Sequence, residues 1–276
     1  MGTVNEDETS VFVPPVKQEL FADVFKRATP SITADSSILV AGSVLGFHGI
    51  DALNIIRKKA YTDEVVFGCN ILTGLVKAFP SNIRNYVMGK CGLISTRLPV
   101  IHYDATLPDL LSRFIETKFG LAFVHKAGGA LISLTDVLEL YNKGLIDTEL
   151  SCKDVASPPF RLENDATLKE TLEEMIRRRI RRVFVNNTNA FISDRTAIDY
   201  IFSPEGIQVL RDELYSTKLR EIRTMGATQV TGSLPLKEGA RLLLRDKGQC
   251  LLCETGVVTR WDCVLKPFKM SALSIQ

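Results

Sequence analysis

The sequence predicts an α/β (α+β) fold made of four copies of one helix-strand-strand-helix unit, preceded by a tail and a short helix. Three observations predict it. An apolar pair followed by a hydroxyl residue, at the start of a helical stretch, recurs as Ile71-Leu72-Thr73, Leu131-Ile132-Ser133, Phe191-Ile192-Ser193 and Val257-Val258-Thr259. The hydroxyls are nearly evenly spaced, with 133 − 73 = 60, 193 − 133 = 60 and 259 − 193 = 66 residues between them. A fixed period of this size marks a fold assembled from one supersecondary unit. Before each hydroxyl, a helical apolar stripe gives way to two short strand-like runs separated by turn residues.

The tail carries Glu6, Asp7, Glu8 and a Pro14-Pro15 pair, and has no core of its own. Lys17 to Ala28 follows as an amphipathic helix, with Leu20, Phe21, Val24 and Phe25 on one side. It is expected to cap the first unit, since a terminal repeat leaves an apolar face to be covered. Residues 1–30 form this leader, and the repeats are expected over 31–90, 91–150, 151–208 and 209–276.

Unit one is the least faithful copy. Its helix is expected from Gly49 to Lys58, then a strand Glu64 to Phe67, a turn Gly68 to Asn70, and Ile71-Leu72 before Thr73. The glycine-rich stretch Gly42 to Gly49 reads as the loop leading into that helix. In unit two, Asp104-Ala-Thr-Leu107 opens a helix through Leu110, Leu111 and Phe114. Leu121 to Val124 and Leu131-Ile132 are the strands, around Gly128-Gly129. Unit three is the clearest. Leu168, Leu172, Met175 and Ile176 form one stripe, and Val183 to Val185 and Ala190 to Ile192 flank the turn Asn186 to Asn189. Ser193 caps a helix that buries Ala197, Ile198 and Ile201. Unit four has its helix from Leu236 to Leu244, strands Cys250 to Cys253 and Val257-Val258, and the turn Glu254 to Gly256.

Composition narrows the function. With 276 residues, 45% hydrophobic and 24% charged, the chain is an ordinary globular protein. Its longest apolar stretch, Ile38 to Phe47, is broken by Gly42, Ser43 and Gly46 and is shorter than the ~20 residues of a membrane span. Acidic residues stand where a signal peptide has positive charge, so a cytoplasmic protein without membrane contact is expected. A net charge of +2 means that affinity for nucleic acid has to come from a local patch. Six cysteines supply one Cys-x-x-Cys, in a strand that sends Cys250 and Cys253 to opposite faces, which reads as core rather than as zinc or redox chemistry. His48, His102 and His125 lack metal-ligand spacing, and no nucleophile sits in a motif with a base. No catalytic residue, metal or required cofactor is expected.

Gly129-Ala-Leu-Ile-Ser133-Leu-Thr-Asp136 and Gly256-Val-Val-Thr259-Arg-Trp-Asp262 resemble the signature that closes a cystathionine β-synthase (CBS) domain: Gly, two apolar residues, Thr or Ser, two variable residues, Asp. The Asp-Ala-Thr-Leu starts and Arg181-Arg182-Val-Phe-Val resemble earlier segments of the same family, and the resemblance covers about residues 31 to 270. It implies two Bateman modules, units one with two and three with four. It also implies a non-catalytic regulatory protein that binds AMP, ADP, ATP or S-adenosylmethionine and controls a separate macromolecular partner. Ser133, Asp136, Thr259 and Asp262, with Ser193 and Thr73 at the weaker copies, would line the clefts. A helix start favours phosphate, and an Asp one turn on can accept from ribose hydroxyls. Unit three has Thr196, and unit one Val76, where that Asp is expected. Ser133 and Thr259 either cap their helices alone or cap them and line a cleft.

The second functional expectation is a macromolecular clamp. Stand-alone multi-CBS proteins of archaea include members that resemble ribosome-associated inactivation or hibernation factors, and the tail and the run Arg177, Arg178, Arg179, Arg181 and Arg182 would suit contact with a ribosome or rRNA. Against that, a charge run is commonly a solvated turn, here next to Glu173 and Glu174. Lys58, Lys59, Arg220, Arg223, Lys266 and Lys269 are scattered cations. A homodimer through the modules is an assembly that the resemblance allows.

Overall fold

The computed structural model describes Val24 and residues 28–79, 82–125, 129–209, 216–245 and 250–275. Unit one comprises β1 (Ser31–Thr33), α1 (Ile38–His48), β2 (Ala52–Arg57), β3 (Ala60–Phe67) and α2 (Gly68–Ala78), followed by α3 (Ile83–Met88) and β4 (Thr96–Arg97). Unit two comprises β5 (Val100–His102), α4 (Leu107–Thr117), β6 (Leu121–His125), β7 (Ala130–Ser133), α5 (Leu134–Asn142) and β8 (Ile146–Asp147). Then come α6 (Cys152–Val155) and unit three: β9 (Arg161–Leu162), α7 (Leu168–Arg178), β10 (Arg182–Val185), β11 (Ala190–Ser193), α8 (Asp194–Ile201), α9 (Pro204–Val209) and β12 (Met225–Gly226). Unit four comprises β13 (Thr228–Gln229), α10 (Leu236–Arg245), β14 (Leu251–Cys253), β15 (Gly256–Val258), α11 (Arg260–Lys269) and β16 (Ser274–Ile275).

Each unit starts with a strand that the sequence pattern did not reveal. β1, β5, β9 and β13 each run parallel to the first strand of the following hairpin. At two or three residues they are too short to show alternation. The connections also cross the expected boundaries, since β4 completes the sheet of unit one and β12 that of unit three.

Unit one corrects the sequence reading. Gly49 to Lys58 is a helix cap and a strand, and the helix is Ile38–His48, so Gly42 and Gly46 lie inside it rather than in a loop. Gly68 to Asn70 is the first turn of α2, and Ile71, Leu72 and Thr73 are inside that helix. Thr73 caps nothing; its Oγ1 donates to the Cys69 carbonyl at 2.7 Å. The counterpart of Ser133 is Phe67, whose N–H donates to Asn70 Oδ1 at 3.0 Å. The physical reason is that α1 is apolar on every side. It buries Ile38, Ala41, Gly42 and Leu45 while Val40 and Phe47 stay exposed, so no stripe announces it. With Phe67 in place, the N-caps are spaced 133 − 67 = 66, 193 − 133 = 60 and 259 − 193 = 66 residues apart. The true period spans two units.

Strand residues alternate between two cores. Ala122, Val124, Ala130 and Ile132 face helices, whereas Phe123 and Leu131 face the opposite sheet. Sheet faces join units one and two through Ala52, Val65, Leu98, Phe123 and Leu131, and units three and four through Phe184, Phe191, Cys250 and Val257. Phe67 stacks on Phe119 across the first of these seams, with centroids 5.6 Å apart. Helix faces pair differently: units one and three share one core, and units two and four the other. Val24 is buried in the core of units two and four rather than against unit one; the rest of the expected Lys17 to Ala28 helix, up to residue 27, lies outside the described residues.

Helix α1 crosses α8 at close range. A Cβ at Gly42 would lie 2.6 Å from the Phe202 ring, and one at Gly46 3.1 Å from the Asp199 backbone. Gly42→Leu should therefore force the modules apart and lower stability by about 1–3 kcal/mol, read from urea unfolding; an unchanged midpoint would show that this crossing is not close-packed. Asp109, Asp154 and Glu170 close capping boxes, and hydrogen bonds from Thr106, Ser151 and Thr167 hold their pKa values down. A carboxylate with a lower pKa folded than unfolded gives stability that is complete above its unfolded pKa and lost as pH falls through the folded one. Urea midpoints should stay level from neutral pH to about pH 4.5 and drop below it. A midpoint that rises on acidification contradicts this.

Candidate functional site

Four helix starts could hold a ligand, and the structure sets them apart. At unit two, Asp136 Oδ2 accepts from the Ser133 N–H at 2.6 Å and from Ser133 Oγ at 2.8 Å. At unit four, Asp262 Oδ2 accepts from the Thr259 N–H at 2.9 Å and from Thr259 Oγ1 at 2.7 Å. Helix capping thus commits one oxygen of each carboxylate. At unit one neither a hydroxyl nor a carboxylate occupies the position. At unit three, Ser193 Oγ accepts from the Thr196 N–H at 3.0 Å and pairs with Thr196 Oγ1 at 2.9 Å, both side chains being buried.

Asp262 is also held at its other oxygen. Lys266, one turn along α11, places its ammonium 3.0 Å from Asp262 Oδ1, and Ser157 Oγ approaches the same oxygen at 3.3 Å. The ammonium also donates to the Val155 carbonyl and to Ser157 Oγ, which ties α11 to the segment entering unit three. A buried carboxylate of this kind needs a cation, and here the protein supplies one from its own helix. A ribose at Asp262 would have to displace it.

Unit three carries a cleft of about 190 Å³ that opens to solvent and is lined by Gly46, Arg195, Thr196, Asp199, Arg223, Thr224 and Met225. α8 supplies Arg195, Thr196 and Asp199, α1 of unit one supplies Gly46, the connection into β12 supplies Arg223 and Thr224, and β12 itself Met225. The glycine keeps the wall low, because a Cβ there would touch Asp199. Two guanidiniums, two hydroxyls and one exposed carboxylate around this volume suit a ligand with both phosphate and vicinal hydroxyls. Thr196 stands where a carboxylate is expected, and the carboxylate of the cleft is Asp199, three residues further on. That spacing was visible in the sequence, but Thr196 had already filled the signature position. Arg195 and Thr224 gave no signal, and Arg223 and Lys266 stood out only as scattered cations.

The arginine run divides. Arg177 and Arg178 both bind Glu174, at 2.5 and 2.7 Å, and Arg178 lies over the Phe160 ring at 4.0 Å. Arg179 is an exposed left-handed helix cap. Arg181 joins two units: its Nε is 2.7 Å from Asp194 and its Nη2 2.8 Å from Asp51 of unit one. Burial opposes ionisation of Asp51, yet Arg181, Arg260 and Arg182 outweigh it and hold its pKa below the usual carboxylate range. Asp194 chiefly drives the Arg181 pKa the other way, upward. Among the described residues no cluster of His, Cys, Asp and Glu could hold a metal ion, and no helix is long and apolar enough to cross a membrane. Trp261 packs on the core of units two and four.

No protein-family model and no curated protein matches the chain. Solved structures do. Protein MJ1225 from Methanocaldococcus jannaschii, described as a candidate archaeal homologue of γ-AMPK, is similar with a TM-score of 0.78 and 15% identity, over 91% of this chain and 99% of that one. An uncharacterised conserved protein from Pyrococcus horikoshii is similar with a TM-score of 0.50 and 11% identity, over 86% and 94%. The CBS-pair protein CBSX2 from Arabidopsis thaliana matches 45% of this chain and 98% of its own, at 19% identity and a TM-score of 0.37. At these identities the first two likenesses establish a fold.

Lys266→Met should leave the Asp262 carboxylate buried without its cation and cost about 3 kcal/mol. Adding Asp262→Asn should recover part of the loss. A single variant as stable as the parent would show that the pair does not hold α11 in place.

Proposed function

Since the chain has the fold of CBS-domain proteins, with two Bateman modules of two repeats each, we propose that it is a regulatory binding protein for an adenosine-containing ligand. The observation that carries this reading is the unit-three cleft, where Arg195 and Arg223 suit phosphate, and Asp199, Thr196 and Thr224 suit ribose hydroxyls. The Ser133/Asp136 and Thr259/Asp262 positions are the remaining candidates. Lys266 makes the second of these the less open, and Thr73, inside α2, drops out. The cleft lies between α1 of one module and α8 of the other, so a bound ligand would bias how the modules sit together and could pass that change to a partner.

A second reading, attachment to a ribosome or rRNA, draws on the basic surface. Arg177, Arg178 and Arg181 are already engaged by carboxylates, which leaves Arg179 and the exposed Lys58-Lys59 turn as its firmest supports.

Calorimetric titration with AMP, ADP, ATP and S-adenosylmethionine tests the first reading. At least one should bind, and Asp199→Ala should weaken it about tenfold or more without lowering the melting temperature, because Asp199 is exposed. Silence from all four ligands, or an indifferent Asp199→Ala, overturns it. Co-sedimentation with ribosomes over a salt series tests the second: binding that falls steeply with salt supports it, and absence of binding at low salt removes it.

A further inference from the structure

Residues 148–160 connect the two modules, and they are fastened along unit four before they enter unit three. The Leu236 N–H donates to the Leu150 carbonyl, and the Cys152 and Lys153 N–H groups donate to the Leu234 and Gly232 carbonyls, each at 2.9 Å. Ser157 and Val257 of β15 exchange backbone hydrogen bonds at 2.9 and 2.8 Å. A Cβ at Gly256 would lie 2.4 Å from the Ser157 carbonyl oxygen, and φ there is +149°, so glycine lets the connection come this close.

Lys266 joins this seam to a ligand position. Besides Asp262 Oδ1 and Ser157 Oγ, its ammonium reaches the Val155 carbonyl and, at 3.4 Å, the Ala156 carbonyl. Asp262 is saturated in turn. Oδ2 accepts from the Thr259 N–H and hydroxyl and Oδ1 from Lys266 and Ser157, which fills the roughly four acceptor sites of a carboxylate. The arrangement is peculiar to unit four: seven residues past the N-cap, where unit four has Lys266, units one, two and three have Gly74, Leu140 and Tyr200. None of these carries a positive charge. The Asp262 side chain is 8% exposed and that of Lys266 31%, so the lysine is the member of the pair that can turn out to water.

Building on the adenosine-ligand reading above, we propose that Lys266 is a tethered occupant of the unit-four position, that the vicinal hydroxyls of a ribose displace it, and that its displacement loosens the connection between modules from unit four. A ligand shifts a conformational balance only by binding one form better than the other. In the closed form Asp262 has no acceptor site left for a hydroxyl, so ribose selects the form in which Lys266 has swung away. Once the lysine leaves, the Val155 and Ala156 carbonyls and Ser157 Oγ lose their common donor, and Ser157 keeps its backbone bonds to Val257. One side chain thereby links occupancy at unit four to the segment that sets how the modules are joined.

The test uses the full chain carrying Asp199→Ala, which removes the carboxylate of the unit-three cleft, with and without Lys266→Gln. Titrated with adenosine in a calorimeter, the Lys266→Gln chain should bind at least about tenfold more tightly, and adding Asp262→Asn should abolish the gain. In hydrogen–deuterium exchange without ligand, the amides of Cys152, Lys153 and Ser157 should exchange faster in the Lys266→Gln chain. Should that variant not fold, Ser157→Ala takes its place, because it removes one anchor of the lysine and leaves the pair with Asp262; a smaller gain of the same dependence is then expected. No gain, a gain that survives Asp262→Asn, or connection amides indifferent to the substitution overturns the proposal. None of these results bears on the unit-three cleft, whose own test is the loss of binding on Asp199→Ala.

Discussion

Every unit of this chain has two apolar faces and can cover neither alone. Period-two alternation in the hairpin strands sends Phe123 and Leu131 one way and Ala122, Val124 and Ile132 the other. Three- and four-stranded sheets of such short strands are too small to be stable with either side in water. Each sheet is consequently buried against a second sheet on one side and against helices on the other. The sheet contacts join neighbours in sequence and the helix contacts join units two apart, so the four units close into one body with two helix cores and two sheet seams.

That closure explains where polar groups collect. Helix starts and strand ends cannot enter the apolar cores, and they meet where the units converge. Strands β2 and β10 start there, just after Asp51 and Arg181, and the first turns of α8 and α11 bring Asp194, Arg195 and Arg260. Charged side chains at such a point are partly shielded from water and need partners, which accounts for the density of arginine–aspartate pairs there. The same geometry forms the unit-three cleft, whose wall is α1 of the other module.

Much of the fold was legible in the sequence. Units two, three and four follow their predicted elements closely because α4, α7 and α10 each have one apolar stripe, and because the Thr106 and Thr167 boxes mark two of the helix starts. Unit one was misread because α1 has no polar face and contains two glycines, so its pattern matched a loop. Aligning Thr73 rather than Phe67 with the other helix starts makes the spacing look more uniform than it is. The candidate site was less legible. Ser133, Asp136, Thr259 and Asp262 do sit at helix starts, but Lys266 on Asp262 and Asp199 in the cleft depend on tertiary contacts and on a helical turn beyond the signature. Asp51 could not be matched with Arg181 until unit one had its correct register.

Asp51 and Arg181 each stand two residues past the left-handed residue that ends α1 or α7, and their opposite charges bear on why both modules are joined in a single polypeptide. If two first halves associated in the same geometry, aspartate would confront aspartate; two second halves would bring arginine up to arginine. At this contact self-pairing of either half is disfavoured, whereas the mixed couple is attractive. Opposite charges at equivalent places thus favour the arrangement in which the two halves face each other within one chain.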